Sequence, residues 1–571
     1  MNRSNLHFHS TIKSIATIVI IVIIIVVSCS GPSSMSYPRL APPDTLHVPK
    51  PASNRIHPYA EYFDKQIMTQ TSEALNFPRQ YRNLTNNRKE AKNVDEWGEV
   101  ANSSWFTNRI GSRRLSIEEL TRGPNKGIGP DTSGTWIITR AKAEGVTPGF
   151  TIRDSKGDSY VIKFDPIGYP ELASGAEVIS TKLFYAMGYN TPENYLVFFD
   201  PKKLRLGQEV KFTDKKGKKR FMNQQDLQEL LAGIQTMPNG QIRALASKYL
   251  SGVPIGPFKY SGVRKDDFND VIPHHHRREL RGLRIFAAWL NHFDTKDGNT
   301  LDMYVTEGER SFVKHYLIDF GATLGSASKA PNFRWRGFQY DIDPGVIATN
   351  ILTLGLYVKP WEKKDGVTYP SIGVYYSDLF DPIKYKPQVP NPAFENMTLL
   401  DGYWAAKIVM SFTDEHLEAV LKEAKYSNPQ AEAFLLEILK TRRDKIGKYF
   451  FNQVNPADHF RIYKSNSNDW VVSFENLAVN YGFTNSEGIA YQYSIQSDDD
   501  QEILEGPVDI YQSEIPLKSL QNLNLPENRL FRIELRTERL DIKEWYKPVI
   551  LYLQVEEKVD GFKLVRVQRQ R

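Results

Sequence analysis

The stretch that decides the fold is His292-Phe-Asp294-Thr-Lys296-Asp-Gly-Asn299, followed eighteen residues later by Leu317-Ile-Asp319-Phe320-Gly321. Six polar side chains sit in eight residues, closely after an apolar run, Ile285-Phe286-Ala-Ala-Trp-Leu290. That run closes a predicted helix, Arg277 to Asn291. Between the two motifs, Leu301–Val305 and Phe312–Ile318 read as strands around a Glu307-Gly-Glu turn. So the polar loop follows a helix, and Asp319-Phe-Gly closes the second strand of a hairpin.

Upstream, the texture is strand-like from residue 134. Trp136-Ile-Ile-Thr139 is apolar and β-branched. Phe150–Arg153 and Tyr160–Phe164 flank Asp154-Ser-Lys-Gly-Asp158 and predict a hairpin. Glu171 to Met187 carries apolar residues at helical spacing with no internal proline, and Gly188 stands where a C-cap belongs. Tyr195–Phe199 is a further strand. Lys163 ends Tyr-Val-Ile-Lys, between Ile162 and Phe164, where a strand lysine must snorkel or meet an anion. Glu177 lies fourteen residues on, inside the predicted helix. Residues 201–270 are polar, and Lys215-Lys-Gly-Lys-Lys-Arg220 reads as a solvated hairpin tip or an anion site. Residues 400–450 are helical. From about 466 short strands with turn-rich linkers predict a small β-sandwich.

His292-x-Asp294-x-Lys296-x-x-Asn299 with Asp319-Phe-Gly resembles the catalytic loop and D-F-G motif of the protein-kinase-like superfamily. Lys163 is similar to that family's strand lysine, and Glu177 to its helix glutamate. The resemblance covers roughly residues 135–450. It implies an α+β, two-lobed fold, with a lobe of strands over 135–200 and a helical lobe over 201–460. A 60–134 extension would precede the lobes, and an all-β, sandwich-like domain over 466–571 would follow. Phosphoryl transfer is mainly positioning and charge neutralisation. Asn299 and Asp319 would hold Mg²⁺ or Mn²⁺ through oxygen. Lys163 would meet the phosphates of ATP or another phosphate donor, with Glu177 fixing its rotamer. Asp294 would accept the proton of the attacking hydroxyl, Lys296 would sit beside the transferred group, and His292 would brace the loop. Two family features are missing: no G-x-G-x-x-G precedes Lys163, where Gly145-Val-Thr-Pro-Gly149 stands instead, and no A-P-E follows. The pattern is therefore more similar to the divergent branches, namely the HipA-type, the CotH-type spore-coat and the secreted animal kinases.

The chain's start predicts its address. Arg3 and Lys13 precede an apolar run, Ile15 to Val27, broken only by Thr17. That is the length of a signal-peptide core and short of a spanning helix. It ends at Val26-Val27-Ser28-Cys29, which resembles the bacterial lipobox. The resemblance implies a signal peptide over 1–28 and lipidation at Cys29, the only cysteine of the 571 residues. Two or more acyl chains suffice for stable anchoring. Ser30 resembles the sorting residue of outer-membrane lipoproteins. Prolines 32, 38, 42, 43, 49, 51 and 58 make 29–59 read as an extended tether.

The composition is globular: 40% apolar, 25% charged, 12% aromatic. One cysteine excludes an intramolecular disulfide. Lys+Arg 73 against Asp+Glu 67 is a thin basic excess, so nucleic acid is not an expected partner. The expected partners are a membrane, through the lipid, and a protein or glycan acceptor in the cell envelope. Two functions are carried forward. One is a lipid-anchored, extracytoplasmic kinase-like phosphotransferase; the other is a non-catalytic kinase-like surface lipoprotein that binds a protein or glycan. His274-His-His276 offers metal ligands or a polar lead-in to the 277–291 helix. Arg277, Arg278, Arg281 and Arg284 pair with local acids or contact a phosphate. Trp105-Phe106 reads as core.

Overall fold

The computed structural model describes residues 44–85, 87–141, 149–213, 219–497, 503–521, 528–556 and 561–570. Cys29 and its apolar run, the Gly145–Pro148 loop and most of the Lys215–Arg220 tip lie outside them. No helix among the described residues is long and apolar enough to cross a membrane.

The first lobe is built on strands β1 (Trp136–Ala141), β2 (Gly149–Arg153) and β3 (Ser159–Phe164), helix α1 (Leu172–Met187), and strands β4 (Asn194–Phe199), β5 (Leu204–Leu206) and β6 (Ile242–Lys248). The sheet order is β4-β6-β3-β2-β1-β5. The β2–β3 hairpin pairs Gly149 with Lys163 and Arg153 with Ser159. Its turn is held by Asp154, whose carboxylate accepts the Lys156 and Asp158 N–H groups at 3.0 and 2.9 Å. Along β3 burial alternates: Tyr160, Ile162 and Phe164 enter one core with Phe150, Trp136 and Val197. The period of two turns Lys163 to the other face. Helix α1 is buried on nearly all sides. Asp165 accepts the Ser174 N–H at 2.8 Å at its start, and Gly188, at φ 125°, ends it. A Cβ on Gly188 would stand 2.1 Å from the Phe106 ring.

The second lobe holds β7 (Val253–Gly256), helix α2 (Arg278–Leu290), the hairpin β8 (Thr300–Glu307) and β9 (Arg310–Leu317), and helices α3 (Leu399–Met410), α4 (Asp414–Lys422) and α5 (Pro429–Gln453). Its core gathers Leu283, Phe286 and Trp289 of α2 with Trp404 of α3 and Leu439 and Phe450 of α5. The Trp289 indole N–H donates to the Leu439 carbonyl at 3.0 Å. Phe184 and Met187 of α1 belong to this same core, so α1 joins the lobes.

Strands β10 (Ala457–Lys464), β11 (Trp470–Asn476) and β14 (Glu514–Pro516) form one C-terminal sheet. Strands β12 (Ile489–Ser497), β13 (Ile503–Ile510), β15 (Leu530–Arg539), β16 (Val549–Glu556) and β17 (Gly561–Arg569) form the other, in the order β13-β12-β15-β16-β17. Val472 and Ile515 of the first meet Ile495, Ile533 and Leu551 of the second in one core. The region is fastened to the helical lobe by charge. Asp458 lies 3.0 Å from Lys407 and 3.1 Å from Arg569, while the Arg569 guanidinium lies over the Tyr403 ring.

Three boundaries differ from the sequence expectation. Strand β6 belongs to the first lobe's sheet although it lies within the 201–460 stretch. It pairs Leu245 with Lys163, and Ile242, Ala244 and Ala246 fill the sheet's core. Strand β10 begins nine residues before 466 and pairs with β11, Ala457 opposite Asn476. The stretch read as a free tether is docked from Asp44 onward. The Val48 N–H donates to Ser311 O at 2.8 Å and the Asn54 N–H to Ile255 O at 2.9 Å. Val48 is fully buried. Open edges of the β7–β9 sheet leave backbone groups that need partners, and this segment supplies them.

Candidate active site

Lys163, projecting from β3 toward α1, meets Glu177 there. Its Nζ donates to Glu177 Oε1 at 2.7 Å and Oε2 at 3.0 Å, and to Asp319 Oδ1 at 3.0 Å. The exposures are unequal. Glu177 is buried, while the Asp319 side chain is 47% exposed. The glutamate is thus the fixed member and the aspartate carboxylate faces the crevice between the lobes. Burial works against the Lys163 charge, but Asp319 and Glu177 outweigh it and raise its pKa. Gly321 permits this packing: a Cβ there would lie 3.3 Å from Glu177 Oε2 and 3.0 Å from Ser328 Oγ.

Asp319 is held at φ 64°, a left-handed conformation uncommon outside glycine and entered most readily by Asn and Asp. Its neighbours hold it there. Phe320 is fully buried and stacks on Phe184 of α1 at 4.9 Å. Thr323 and Ser180 share a hydrogen bond of 2.7 Å. The Ile318 N–H donates to Asn299 O at 3.1 Å, which ties the end of β9 to the polar loop.

That loop leaves α2 through Asn291 in the left-handed region, φ 50°. His292 is buried against Phe184 at 5.6 Å, and its carbonyl accepts the Tyr385 hydroxyl at 2.7 Å. Burial lowers the His292 pKa, which favours the neutral ring. Lys296 Nζ lies 2.8 Å from Asp294 Oδ1 and 3.1 Å from Oδ2. Burial again opposes the lysine charge, and Asp294, Glu61 and Asp319 together raise its pKa. Asn299 donates its Nδ2 to the Asp294 carbonyl at 2.8 Å. Its Oδ1 accepts no hydrogen bond among the described residues. The half-exposed Asp319 carboxylate and the Asn299 amide oxygen are both hard-oxygen donors of the kind that suits Mg²⁺ or Mn²⁺. The six residues singled out for this site thus sit on one sheet strand, one helix and two adjoining loops. Lys163, Glu177 and Asp319 are in direct contact, as are Asp294, Lys296 and Asn299.

No motif marks the N-terminal contribution to this site. Helix Pro58–Phe63 lays Glu61 on the polar loop, where its carboxylate accepts the Gly298 N–H at 3.2 Å. Burial and the nearby Asp297 raise the Glu61 pKa. Lys65 pairs with Asp297 at 3.1 Å, both side chains about 5% exposed. Gln66 donates to Gln388 O at 3.1 Å. Glu61 stands some 240 residues from the loop it braces, with no motif to mark it.

The histidine run forms a turn, His274–His276, that leads into α2. His274 Nε2 contacts Asp270 at 2.7 Å, and the Arg281 Nη2–H donates to His276 Nδ1 at 2.6 Å. Arg277 pairs with Asp270, while Arg278 and Arg281 both reach Asp401. Arg284 donates instead to the carbonyls of Ile383, Tyr385 and Phe394. Trp105 stacks on His315 in the core.

No protein-family model matches the chain, and no curated protein matches it significantly. Solved structures that align with it include the Golgi casein kinase with Mn and ADP bound, at 9% identity over 58% of this chain and 74% of that one, TM-score 0.28. A second structure of the Golgi casein kinase aligns at 11% identity over 74% and 93%, TM-score 0.28. The Helicobacter pylori proinflammatory kinase CtkA aligns at 10% identity over 57% and 99%, TM-score 0.30. Scores this low carry nothing by themselves. The class rests on the chain's own geometry: a sheet lobe with one central helix, a helical lobe, and a strand lysine joined to a helix glutamate and to the aspartate of Asp-Phe-Gly. That is an α+β, kinase-like fold.

Proposed function

We propose that this chain is a kinase-like phosphotransferase, anchored by lipid at Cys29 and working outside the cytoplasm on an envelope or secreted acceptor. The observation that carries the chemistry is Lys163 bridging buried Glu177 and half-exposed Asp319. A bare scaffold has no need to bring those charges together, since a buried ion pair often contributes no more stability than an apolar pair of the same size.

Lys163 places its charge on the donor's phosphates, and Glu177 holds its rotamer. Asp319 and the Asn299 amide oxygen hold the divalent ion, which when bound neutralises charge on the phosphates. Asp294 orients the acceptor hydroxyl and takes its proton as the acceptor oxygen bonds to phosphorus and the bond to the leaving nucleotide oxygen breaks. Lys296, already 2.8 Å from Asp294, can turn toward the transferred group once that hydroxyl arrives. The Ile15–Val27 run and the Cys29 motif support the anchor and the compartment. The donor is ATP or another phosphorylated compound that reaches that compartment.

A thermal-shift titration with ATP and Mg²⁺ or Mn²⁺ tests this reading. At a hundred times Kd the ligand should stabilise the fold by ~2.7 kcal/mol, and Asp319→Ala should abolish the shift. Phosphoryl transfer should fall by about 10²–10⁴-fold in Asp294→Ala. No shift with any nucleotide would favour a non-catalytic lipoprotein that binds a protein or glycan. Mass spectrometry of the membrane-extracted chain tests acylation at Cys29.

A further inference from the structure

We propose that a basic pocket on the helical lobe, lined by Arg79, Arg82, Arg88, Lys89, His275 and His276, binds a phosphate group carrying two negative charges. The pocket has a volume of about 210 Å³ and shares no lining residue with the crevice at Lys163. Three separate segments build it: helix Phe77–Leu84 with the residues flanking it, the turn before α2, and Glu395–Asn396. The proposal is independent of the phosphotransferase reading.

The charge balance carries the inference. Four cations line the pocket against two acids, Glu73 and Glu395. Glu73 is committed to Arg79 in an ion pair, and Glu395 accepts the Tyr340 hydroxyl. The Arg82 guanidinium and the Lys89 ammonium have no partner among the described residues. The cations also crowd one another. Burial lowers the Arg88 pKa, and the positive charges of Arg284, Arg79 and Arg281 lower it further, against the pull of Glu395. Such a cluster costs free energy until an anion enters it.

The walls add neutral donors. The His275 Nδ1 atom is buried and has no hydrogen-bond partner. Because His276 Nδ1 accepts from Arg281, its Nε2 carries the proton and can donate. The Asn76, Asn83 and Asn396 amides also line the pocket. Guanidinium forks match phosphate oxygens in pairs. A carboxylate, with one charge, would leave half of the net positive charge unmet; a phosphate monoester dianion meets it.

Calorimetric titration of the full chain with inorganic phosphate, and separately with a phosphoserine peptide, at fixed ionic strength set by chloride, tests the site. Saturable binding of at least one probe is expected. Tighter binding of the peptide would identify a phosphorylated macromolecule as the source, and tighter binding of inorganic phosphate a free ion. Arg82→Ser with Lys89→Ser should weaken binding about tenfold or more, the loss expected for two charge-assisted contacts. Arg82→Lys with Lys89→Arg should stay within about threefold, as both charges are kept. Asp319→Ala should leave the affinity unchanged. The proposal falls if neither probe saturates by about 10 mM, an affinity weaker than charge-assisted contacts supply. It falls equally if binding survives the double serine variant or vanishes in Asp319→Ala.

Discussion

Replacing Lys163 by Met removes one cation from two carboxylates of unequal exposure. The Glu177 side chain is 3% exposed, so its charge stays buried when its lysine is removed. Breaking a buried pair from one side costs about 3–5 kcal/mol. The Asp319 side chain is 47% exposed, and solvent screening reduces its share to under ~1 kcal/mol. Lys163→Met should therefore destabilise the fold by about 3 kcal/mol, nearly all of it through Glu177. Removing both charges with Lys163→Met/Glu177→Gln should recover most of that loss, because a neutral amide costs far less to bury than a carboxylate. A double-mutant cycle from urea unfolding should give a coupling of about 2–3 kcal/mol for Lys163 with Glu177 and under ~1 kcal/mol for Lys163 with Asp319. The Lys163 pKa is raised on folding, so its contribution is fully present below the ordinary lysine range and is lost as pH climbs through the raised value. Measurements from pH 7 to 9 should agree. Additivity of the Lys163 and Glu177 substitutions, within ~0.5 kcal/mol, would refute the claim that Glu177 is the anchoring partner.

Three further outcomes follow from the packing. Gly188→Ala combines a left-handed φ with a 2.1 Å approach to Phe106, so differential scanning should show a lower Tm, for a cost of about 2–4 kcal/mol. His275 and His276 are held neutral by burial, with pKa values pushed down to about 4 and about 3. The unfolded chain takes up protons first, so these groups stabilise the fold above about pH 6.5 and lose that contribution as pH falls toward 4. His275→Asn/His276→Asn should flatten the dependence of Tm on pH across that window. Glu61→Ala strips the Gly298 N–H of its acceptor, at a cost of about 1–3 kcal/mol; hydrogen exchange should rise at residues 296–299, and Glu61→Gln should restore most of the protection.

Much of the fold was readable because its signals are local. The β2–β3 hairpin announces itself through Asp154 and Gly157, and α1 through an unbroken apolar pattern ended by Gly188. Lys163 between two apolar neighbours had either to snorkel or to meet an anion, and in the structure it meets two, Glu177 and Asp319. What escaped was non-local. Strand β6 returns to the first sheet after a long polar excursion, and nothing in Ile242–Lys248 states which lobe it joins. Strand β10 alternates as a strand should, but a left-handed residue, His459, and a register shift interrupt its pairing. The segment after Asp44 looked like a tether because its closely spaced prolines favour an extended chain. They do not forbid lying along an open sheet edge. Glu61 carries no pattern at all, since its role arises only when Pro58–Phe63 lands on Gly298.

The clasp between Arg569 and the helical lobe has a consequence for biogenesis. Arg569 caps the Ala457 carbonyl from 112 residues downstream and answers the charge of Asp458. At ~5–20 residues per second, a ribosome takes on the order of 10 s to travel that distance. During that lag the nascent helices carry an open seam around Tyr403 and Asp458. Closure of that seam therefore waits until synthesis of the sandwich is nearly done.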